Sequence, residues 1–529
     1  PAASTSQQSI DRVVQYCKML GKVVIVCGDR PGFVVNRFFV PWLNEACLLL
    51  EEGHGNAAQI DAIACKAFRI GLGPFGLMNL TGPPIALHST DYLAEQLETP
   101  RYNGAGNLRD LVSDNRMWEI EEDASYSDKQ YEAISRRLYG VVFGVAAQIV
   151  DEGVCSMEDV DRGAKVGLRW ARGPFELMNK VGVQESFEMA KEYQSLCQNV
   201  DEKSSWSIPD FFFKQAENDT SWDFSYVDTQ INDGIATITI NRPEAMNALN
   251  ETVVNQLGIA VKAVNANESV HTIVLDGAGK AFVAGADVKF FVDKIRSDSI
   301  DDIVEFTSNG HKVLNSIENS PKITIALTTG LALGGGLELA LCCDYRIGTR
   351  RTQFRFPETS IGIYPGLGGS QRPARISGIP LARWAVLGGN FMNAQTAYDI
   401  GLLTHLVDLA DVDKATSNCV SNGKPSDKYS GKPANEDSNV VKFATDFYRD
   451  ENLPTLLSGG CPDGYDIEDK TISRQLKNLK YTAPIALSMA SELIDITANT
   501  TLEQGLDSEL AKLTDIFSTR DALEGLSAL

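Results

Sequence analysis

The chain has 529 residues, of which 43% are hydrophobic and 22% charged, proportions that are ordinary for a soluble globular protein. At roughly 150 residues per domain, this length predicts about three domains. With 48 Lys and Arg against 70 Asp and Glu, the net charge is −22, which argues against nucleic acid or an anionic membrane as the main partner.

The N-terminus and the cysteines indicate a reduced, cytoplasmic setting. The opening residues, PAASTSQQSIDRVV, lack the basic and then apolar segments of a signal peptide. No membrane insertion is expected, because no apolar run approaches the roughly 18–20 residues that span a bilayer. The cysteines are scattered singly apart from Cys342 and Cys343, a distribution that favours buried thiols over disulfides or a metal site. The missing initiator Met is interpreted as the mark of a fragment.

Two segments of the first 200 residues repeat each other at an offset of 100. The first runs from EEG (51–53) to GPFGLMNLTG (73–82), and the second from DEG (151–153) to GPFELMNKVG (173–182). Between these motifs, Asp61 and Asp161 also match. A helical apolar pattern precedes each acidic-Gly cap. The match predicts a duplicated helical unit, with repeats at 8–100 and 101–200.

From Trp222 the sequence changes to a pattern of alternating strands and helices. Short β-branched runs such as DGIATITI (233–240) and HTIVLDG (271–277) are separated by helical stretches, which predicts a second domain of α/β type at 222–529. Residues 411–440, rich in Ser, Asn, Asp, Lys and Gly, predict a flexible excursion. Residues 480–529 predict a helical tail.

The most informative stretch is GLALGGGLELALCCD (330–344). Its three glycines begin a predicted helix, where a ligand can approach the backbone N–H groups. Such donors suit a phosphate or an oxyanion, and the absence of a P-loop lysine and hydroxyl favours the oxyanion. GKAFVAGADVKFF (279–291) likewise leads small residues into a helix after a strand, so its backbone near Gly285 and Ala286 could supply a second donor.

Two glutamates lie beside these glycine-rich segments. Glu338 falls in the first turn of the predicted helix, and Glu358 precedes the run IGIYPGLGG. In one apolar cavity, two carboxylates with shifted pKa values could divide acid and base roles. Taken singly, Glu338 is better explained as a partner of the helix dipole and Glu358 as a turn residue. The second donor segment shifts the balance towards a catalytic pair.

Four ordered motifs together resemble the crotonase, or enoyl-CoA hydratase, family. They are NRPEAMNALN (241–250), AFVAGADVK (281–289), GLALGGGLELALCCD (330–344) and FPETSIGIYPGLGG (356–369). The resemblance covers about residues 222–410 and the helical tail. It implies a crotonase fold, a superhelix of ββα units that a helical tail closes.

The resemblance also implies roles for individual residues. The backbone N–H groups of Ala286 and Gly335 would bind the thioester oxygen. Glu338 would activate water for attack at C3, and Glu358 would manage the proton at C2. The implied substrate and CoA contacts are Ala248, Leu249, Asp287, Val288, Lys289 and Gly366.

The implied reaction adds water across the 2,3 double bond of a trans-2-enoyl-CoA to give 3-hydroxyacyl-CoA, with no metal or redox cofactor. Acyl-CoA is then the expected partner, and the resemblance implies a homo-oligomer built from trimers. An isomerase or acyl-CoA hydrolase of the same fold is an alternative, although family isomerases generally use one acidic residue. A non-catalytic acyl-CoA-binding or assembly subunit is another, against which the glutamate pair argues.

The first half resembles the C-terminal helical domain of 3-hydroxyacyl-CoA dehydrogenases over about residues 8–190. Its most specific element is DRPGFVVNR (29–37), in which Asn36 matches the family's active-site asparagine; an Asn that caps or is buried at a helix start explains the residue equally well. The family's NAD-binding domain and catalytic histidine are not found. The single GxGxxG match, Gly71 to Gly76, follows a helical stretch and is not a nucleotide loop. No hydride transfer is expected from this chain alone, and NAD is implied only for the dehydrogenase activity of a longer parent chain.

Overall fold

The computed structural model describes residues 1–120, 123–201 and 206–529. It divides the chain into two compact units, Pro1–Phe224 and Ser225–Leu529. Residues 121 and 122 of the predicted second repeat lie outside the described part of the chain.

The described residues of the first unit form helices joined by loops and contain no strand. Its helices are α1 (Gln7–Met19), α2 (Val35–Glu51), α3 (Ala57–Phe68), α4 (Pro74–Thr81), α5 (Pro83–Gln96), α6 (Gly106–Ser113), α7 (Asp128–Asp151), α8 (Met157–Arg162), α9 (Pro174–Val181), α10 (Val183–Val200) and α11 (Asp210–Glu217). By length and hydropathy α7 could cross a membrane, but 72% of its apolar window is buried inside the unit. Such burial is typical of the core helix of a globular fold.

The two matched sequence segments form the same hydrogen bonds in the structure. Asp61 of α3 accepts the N–H groups of Phe75 and Gly76, at 2.8 and 2.9 Å. Asp161 of α8 accepts the N–H groups of Phe175 and Glu176 at the start of α9, at the same two distances. Each aspartate therefore supplies acceptors for N–H groups that a helix start leaves without an intrahelical partner.

In a second repeated contact, an asparagine of each matched motif bonds a tryptophan outside the motif. The Asn79 side chain exchanges two hydrogen bonds with the Trp118 backbone, each 2.9 Å long. Asn179 does the same with Trp222, at 2.9 and 2.7 Å. Trp222 therefore packs in the first unit, although the predicted second domain begins at that residue.

The second unit contains two sheets. Its strands are β1 (Val227–Asn232), β2 (Ile235–Ile240), β3 (Thr272–Gly277), β4 (Ala281–Ala284), β5 (Ile323–Thr328), β6 (Leu331–Leu333), β7 (Tyr345–Gly348), β8 (Gln353–Arg355), β9 (Met392–Asn393) and β10 (His405–Leu406). One sheet has the order β1-β2-β3-β5-β7-β10, and the other β4-β6-β8-β9. From β3 to β8, successive strands go to alternate sheets. This alternation is the predicted ββα superhelix.

Helices complete the second unit and include the predicted tail. They are α12 (Glu251–Ala266), α13 (Val288–Arg296), α14 (Ile300–Glu318), α15 (Gly335–Cys342), α16 (Arg372–Ser377), α17 (Ile379–Val386), α18 (Ala394–Asp399), α19 (Val412–Asn422), α20 (Asn439–Phe447), α21 (Leu453–Leu457), α22 (Lys470–Lys480), α23 (Pro484–Asp495), α24 (Leu502–Ala511), α25 (Leu513–Phe517) and α26 (Arg520–Ser527).

The segment 411–440 differs from its prediction as a flexible excursion. It contains α19, and the loop after α19 is bonded to the body of the unit. Lys428 donates to Glu318 at 2.9 Å and to the Cys342 carbonyl at 2.7 Å, and the Gly431 N–H donates to the Arg375 carbonyl at 2.8 Å. Polar composition was misleading because these polar groups have partners within the protein.

Candidate active site

The glycine run places α15 against its neighbours. Gly334 has a φ of +47°, a conformation that L side chains rarely adopt, and a Cβ there would overlap the Glu358 carboxylate. A Cβ on Gly336 would overlap the carbonyl oxygen of Val283 in β4. Glycine at these two positions therefore allows the start of α15 to approach both β4 and Glu358.

The two predicted backbone donors lie at the same end of neighbouring strands. β4 and β6 are parallel, and Ala284 pairs with Leu333. Ala286 and Gly335 each lie two residues beyond this pair. The Leu249 N–H donates to Gly285, and the Asp287 N–H donates back to Leu249. Within the described residues, the Ala286 N–H between them has no acceptor.

The Gly335 N–H also lacks an acceptor within its helix. Gly335 is the first residue of α15, and the first four N–H groups of a helix have no intrahelical carbonyl to bond. A carbonyl oxygen placed between Ala286 and Gly335 would receive donors from two separate loops, as stabilisation of an oxyanion requires.

Glu338 is buried, with 2% of its surface exposed. Its Oε1 accepts the N–H groups of Leu367 and Gly369, both at 2.7 Å, and Oε2 lies 3.8 Å from where a Cβ on Gly335 would be. Burial raises the pKa of Glu338 to about 7, although the two N–H groups and Arg372 act in the opposite direction. One oxygen of this carboxylate is thus fixed, and the other faces Gly335.

Glu358 lies in a short 3₁₀ turn that follows Pro357. It is also buried, and its Oε2 has no hydrogen-bond partner among the described residues. Burial and then the negative charge of Glu338 raise its pKa well above the usual value for a glutamate, while Arg355 opposes the shift. The fold therefore brings the two predicted acids close enough for their charges to interact.

The predicted CoA contacts have different surroundings. Ala248 and Leu249 are buried. Asp287 accepts two hydrogen bonds from the Arg242 guanidinium, both 3.1 Å long. Val288 begins α13 and is half-buried, whereas the neighbouring Lys289 is exposed.

Gly366, the remaining predicted contact, lies in the glycine-rich loop before α16. Its carbonyl accepts a hydrogen bond from His311 at 2.6 Å. The His311 imidazole is buried, and burial lowers its pKa to about 4. The ring is therefore neutral near pH 7 and holds Gly366 by a neutral hydrogen bond.

Sequence reasoning missed Asn247, which organises the loop that carries Ala248 and Leu249. Its side-chain amide donates to three carbonyls, those of Ala278, Ala281 and Phe282, at 2.9–3.1 Å. Its φ of +59° is one that asparagine adopts more readily than most residues. An Asn inside the NRPEAMNALN motif was the available signal.

Glu509 was missed as well. This fully buried residue of α24 accepts the Gly368 N–H at 2.7 Å and the Ser370 N–H at 3.1 Å. An acid at helical spacing between Leu506 and Leu513, both buried, was a signal that the tail carries a polar contact into the core.

In the first unit, Asn36 is exposed at the start of α2. It lines a cavity of about 540 Å³, together with Arg30, Phe33, His88 and Tyr92 among others. The GxGxxG match, Gly71 to Gly76, follows α3 and ends in the first turn of α4, so a helix and not a strand precedes it. Its position agrees with the prediction that it is not a nucleotide loop.

Two family models match the chain. The model described as enoyl-CoA hydratase/isomerase matches residues 235–529. The model described as 3-hydroxyacyl-CoA dehydrogenase, C-terminal domain, matches residues 32–127 and 134–210. The predicted fusion of a dehydrogenase helical domain with a crotonase domain is therefore confirmed.

The chain is also similar to curated enoyl-CoA hydratases and to a solved structure. A crotonyl-CoA hydratase of Syntrophomonas wolfei is 40% identical over 207 residues, 38% of this chain and 78% of the relative. A short-chain-enoyl-CoA hydratase of Clostridium acetobutylicum is 35% identical over 34% of this chain and 67% of its own length. The crystal structure of an enoyl-CoA hydratase from Rhodobacter sphaeroides has a TM-score of 0.50 and 23% identity, covering 57% of this chain and 89% of that one. The last match supports the fold alone.

Proposed function

The chain belongs to the enoyl-CoA hydratase/isomerase family, and we propose that its second unit adds water to a trans-2-enoyl-CoA to give 3-hydroxyacyl-CoA. The observation that carries the proposal is the buried pair Glu338 and Glu358 beside the backbone donors of Ala286 and Gly335. The names of the two curated relatives support a short acyl chain, such as that of crotonyl-CoA, as the substrate.

The backbone donors act on the thioester carbonyl. When the oxygen of water bonds to C3, negative charge moves to the carbonyl oxygen between the Ala286 and Gly335 N–H groups. Each such donor typically contributes about 3–4 kcal/mol of transition-state stabilisation. Because both donors are fixed by strand register and helix start, they need little reorganisation during the reaction.

The carboxylates move the two protons. Glu338 takes a proton from water as the hydroxyl bonds to C3, and Glu358 gives its proton to C2, so that the product gains one complete water molecule. A pKa of about 7 leaves much of Glu338 ionised near neutral pH, as a general base requires. Glu358, whose pKa is raised further, keeps the proton that it must donate.

For the first unit, we propose only a class of activity and no catalytic residues. Its match to a dehydrogenase C-terminal domain suggests that a longer parent protein oxidises the 3-hydroxyacyl-CoA product with NAD. The GxGxxG match that follows α3 does not fit NAD, because the nucleotide loop of this class follows a strand. A cytoplasmic location and a trimer-based homo-oligomer are further proposals, which rest on composition and on the family resemblance.

Hydration of crotonyl-CoA tests the proposal through loss of the absorbance of the conjugated thioester. Wild-type protein should turn over the substrate, and Glu358→Gln should lower kcat by about 10²–10⁴-fold. The matched control is Asp344→Asn, since Asp344 is a buried acid that bonds Thr324 in the same unit.

Each outcome bears on a different part of the proposal. No turnover by the wild type would refute the hydratase function, and equal rates for wild type and Glu358→Gln would refute the site. Mass analysis of the product separates the alternatives, because an isomer has the mass of the substrate and hydrolysis releases free CoA.

A further inference from the structure

One short loop is held from opposite sides by two buried carboxylates. In this loop, Leu367–Ser370, the first and third N–H groups donate to Glu338, both at 2.7 Å. The second and fourth donate to Glu509, at 2.7 and 3.1 Å. Four consecutive backbone donors therefore alternate between two acids that come from α15 and α24.

The alternation couples the two acids mechanically. Gly368 has a φ of +98°, and a Cβ there would overlap the Arg372 guanidinium, so the loop holds a conformation that glycine favours. Because each peptide group is a rigid plane joined to the next at one Cα, neighbouring N–H groups of the loop do not turn independently. A rotation that weakened the bonds to Glu509 would therefore also turn the N–H groups that hold Glu338.

The carbonyl side of the same loop is also fixed. Arg372 donates to the Leu367 carbonyl at 2.9 Å, and His311 donates to the Gly366 carbonyl at 2.6 Å. The Tyr364 hydroxyl donates to the backbone carbonyl of Glu509 at 2.6 Å. Helix α24 is thus also attached to Tyr364, which precedes the loop, and among the described residues Glu509 is the residue of α24 that accepts the loop N–H groups.

Both acids are shielded from solvent. Glu509 is fully buried and Glu338 is 2% exposed. Burial raises the pKa of Glu509 to about 8, and the next largest cause is the negative charge of Glu338. The two acids are therefore close enough for their charges to interact.

We infer that Glu509 is a positioning residue for Glu338. By holding the N–H groups of Gly368 and Ser370, it fixes those of Leu367 and Gly369, and so the direction in which Glu338 presents its second oxygen. The inference rests on the proposed function, in which that oxygen accepts a proton from water. Glu509 is fully buried and bonds the loop N–H groups of Gly368 and Ser370, so we expect its loss to lower kcat and leave KM unchanged.

Glu509→Gln tests this inference in the full chain with crotonyl-CoA. The substitution preserves shape and one acceptor oxygen, but it places an amide N–H group against a loop N–H group. We expect kcat to fall by about 10–100-fold, the scale of a small misplacement of a catalytic group, with KM changed by less than about threefold. Asp344→Asn, a buried acid away from the loop, should leave kcat unchanged.

A double variant separates positioning from a general loss of structure. In a Glu338→Gln background, measured at high enzyme concentration, Glu509→Gln should lower kcat little further. The effects of two residues that act as a unit are not additive. An equal further loss in that background would overturn the inference, as would a raised KM with unchanged kcat.

Ser370→Ala extends the test if Glu509→Gln does not fold. It removes the hydroxyl that donates to Glu509 and accepts from the Gln371 side chain, and it keeps the Ser370 N–H group, so we expect a smaller fall in kcat, again absent in the Glu338→Gln background. A wild type that does not hydrate crotonyl-CoA would overturn the proposed function and this inference together. An active wild type whose kcat is matched by Glu509→Gln, or by Ser370→Ala if only that variant folds, would overturn this inference alone.

Discussion

The glutamates of the candidate site differ in how their oxygens are hydrogen-bonded. Glu338 has two backbone donors on one oxygen, whereas Glu358 Oε2 is buried without a partner among the described residues. Leaving a buried polar group unsatisfied typically costs about 1–3 kcal/mol. A substrate or water that bonds Glu358 would recover part of this cost. The unpaired oxygen is therefore a reason to place the reacting atoms beside Glu358.

The pH dependence of hydration follows from the same two residues. Glu338 must be ionised to act as a base, and burial raises its pKa to about 7. Below that pH we expect kcat/KM for crotonyl-CoA to fall about tenfold per pH unit. At higher pH the rate should fall again as Glu358, whose pKa is raised further, loses the proton that it donates.

Rates measured from pH 5 to 9, with circular dichroism to show that the protein stays folded, check this prediction. An acid limb near pH 4.5, the ordinary value for a glutamate, would contradict it. Glu358→Gln should remove the alkaline limb from the residual activity and leave the acid limb in place.

For helices and strands, the sequence predicted contacts within a local motif better than contacts between distant residues. The offset of 100 identified Asp61 and Asp161 because the motifs around them are contiguous in sequence. Asn79 and Asn179 belong to the matched motifs, but their partners Trp118 and Trp222 do not, and only folding brings each pair together. Glu509 was missed for the same reason, since its partners are in a loop far earlier in the chain.

The two repeats should differ in how much each aspartate stabilises its following helix. Asp161 is 1% exposed, whereas Asp61 is half-buried. Replacing Asp161 by Ala leaves two N–H groups without an acceptor where water has little access, so we expect the free energy of unfolding to fall by about 2–4 kcal/mol. Asp61→Ala should cost only about 1 kcal/mol, because solvent can replace the lost acceptor.

Urea unfolding followed by tryptophan fluorescence measures this difference. Trp118 packs against Phe75, with ring centroids 4.8 Å apart, and Trp222 packs against Phe175 at 5.3 Å, so each repeat carries a reporter. Equal losses in the free energy of unfolding for Asp61→Ala and Asp161→Ala would show that burial does not decide how much each aspartate stabilises its helix.

At the scale of the whole molecule, the proposed chemistry is confined to one of the two units. The hydratase residues, from Ala248 to Glu509, all belong to Ser225–Leu529. The cavity beside Asn36 belongs to Pro1–Phe224. The family resemblance predicted this division of roles, because its motifs fall in separate stretches of sequence. It did not predict the last residues of the first unit, whose place depends on the contact between Asn179 and Trp222.

The second unit should therefore act as a hydratase when it is produced alone. A chain of residues 225–529 has its own core and every residue of the proposed site, so its kcat with crotonyl-CoA should match the full chain within about threefold. Removing residues 502–529 from it should lower kcat by at least the roughly 10–100-fold expected of Glu509→Gln, because Glu509 would be lost and the Gly368 and Ser370 N–H groups would have no acceptor. Circular dichroism melting of both fragments shows which of them fold. A folded 225–529 fragment without activity would mean that hydration requires the first unit as well.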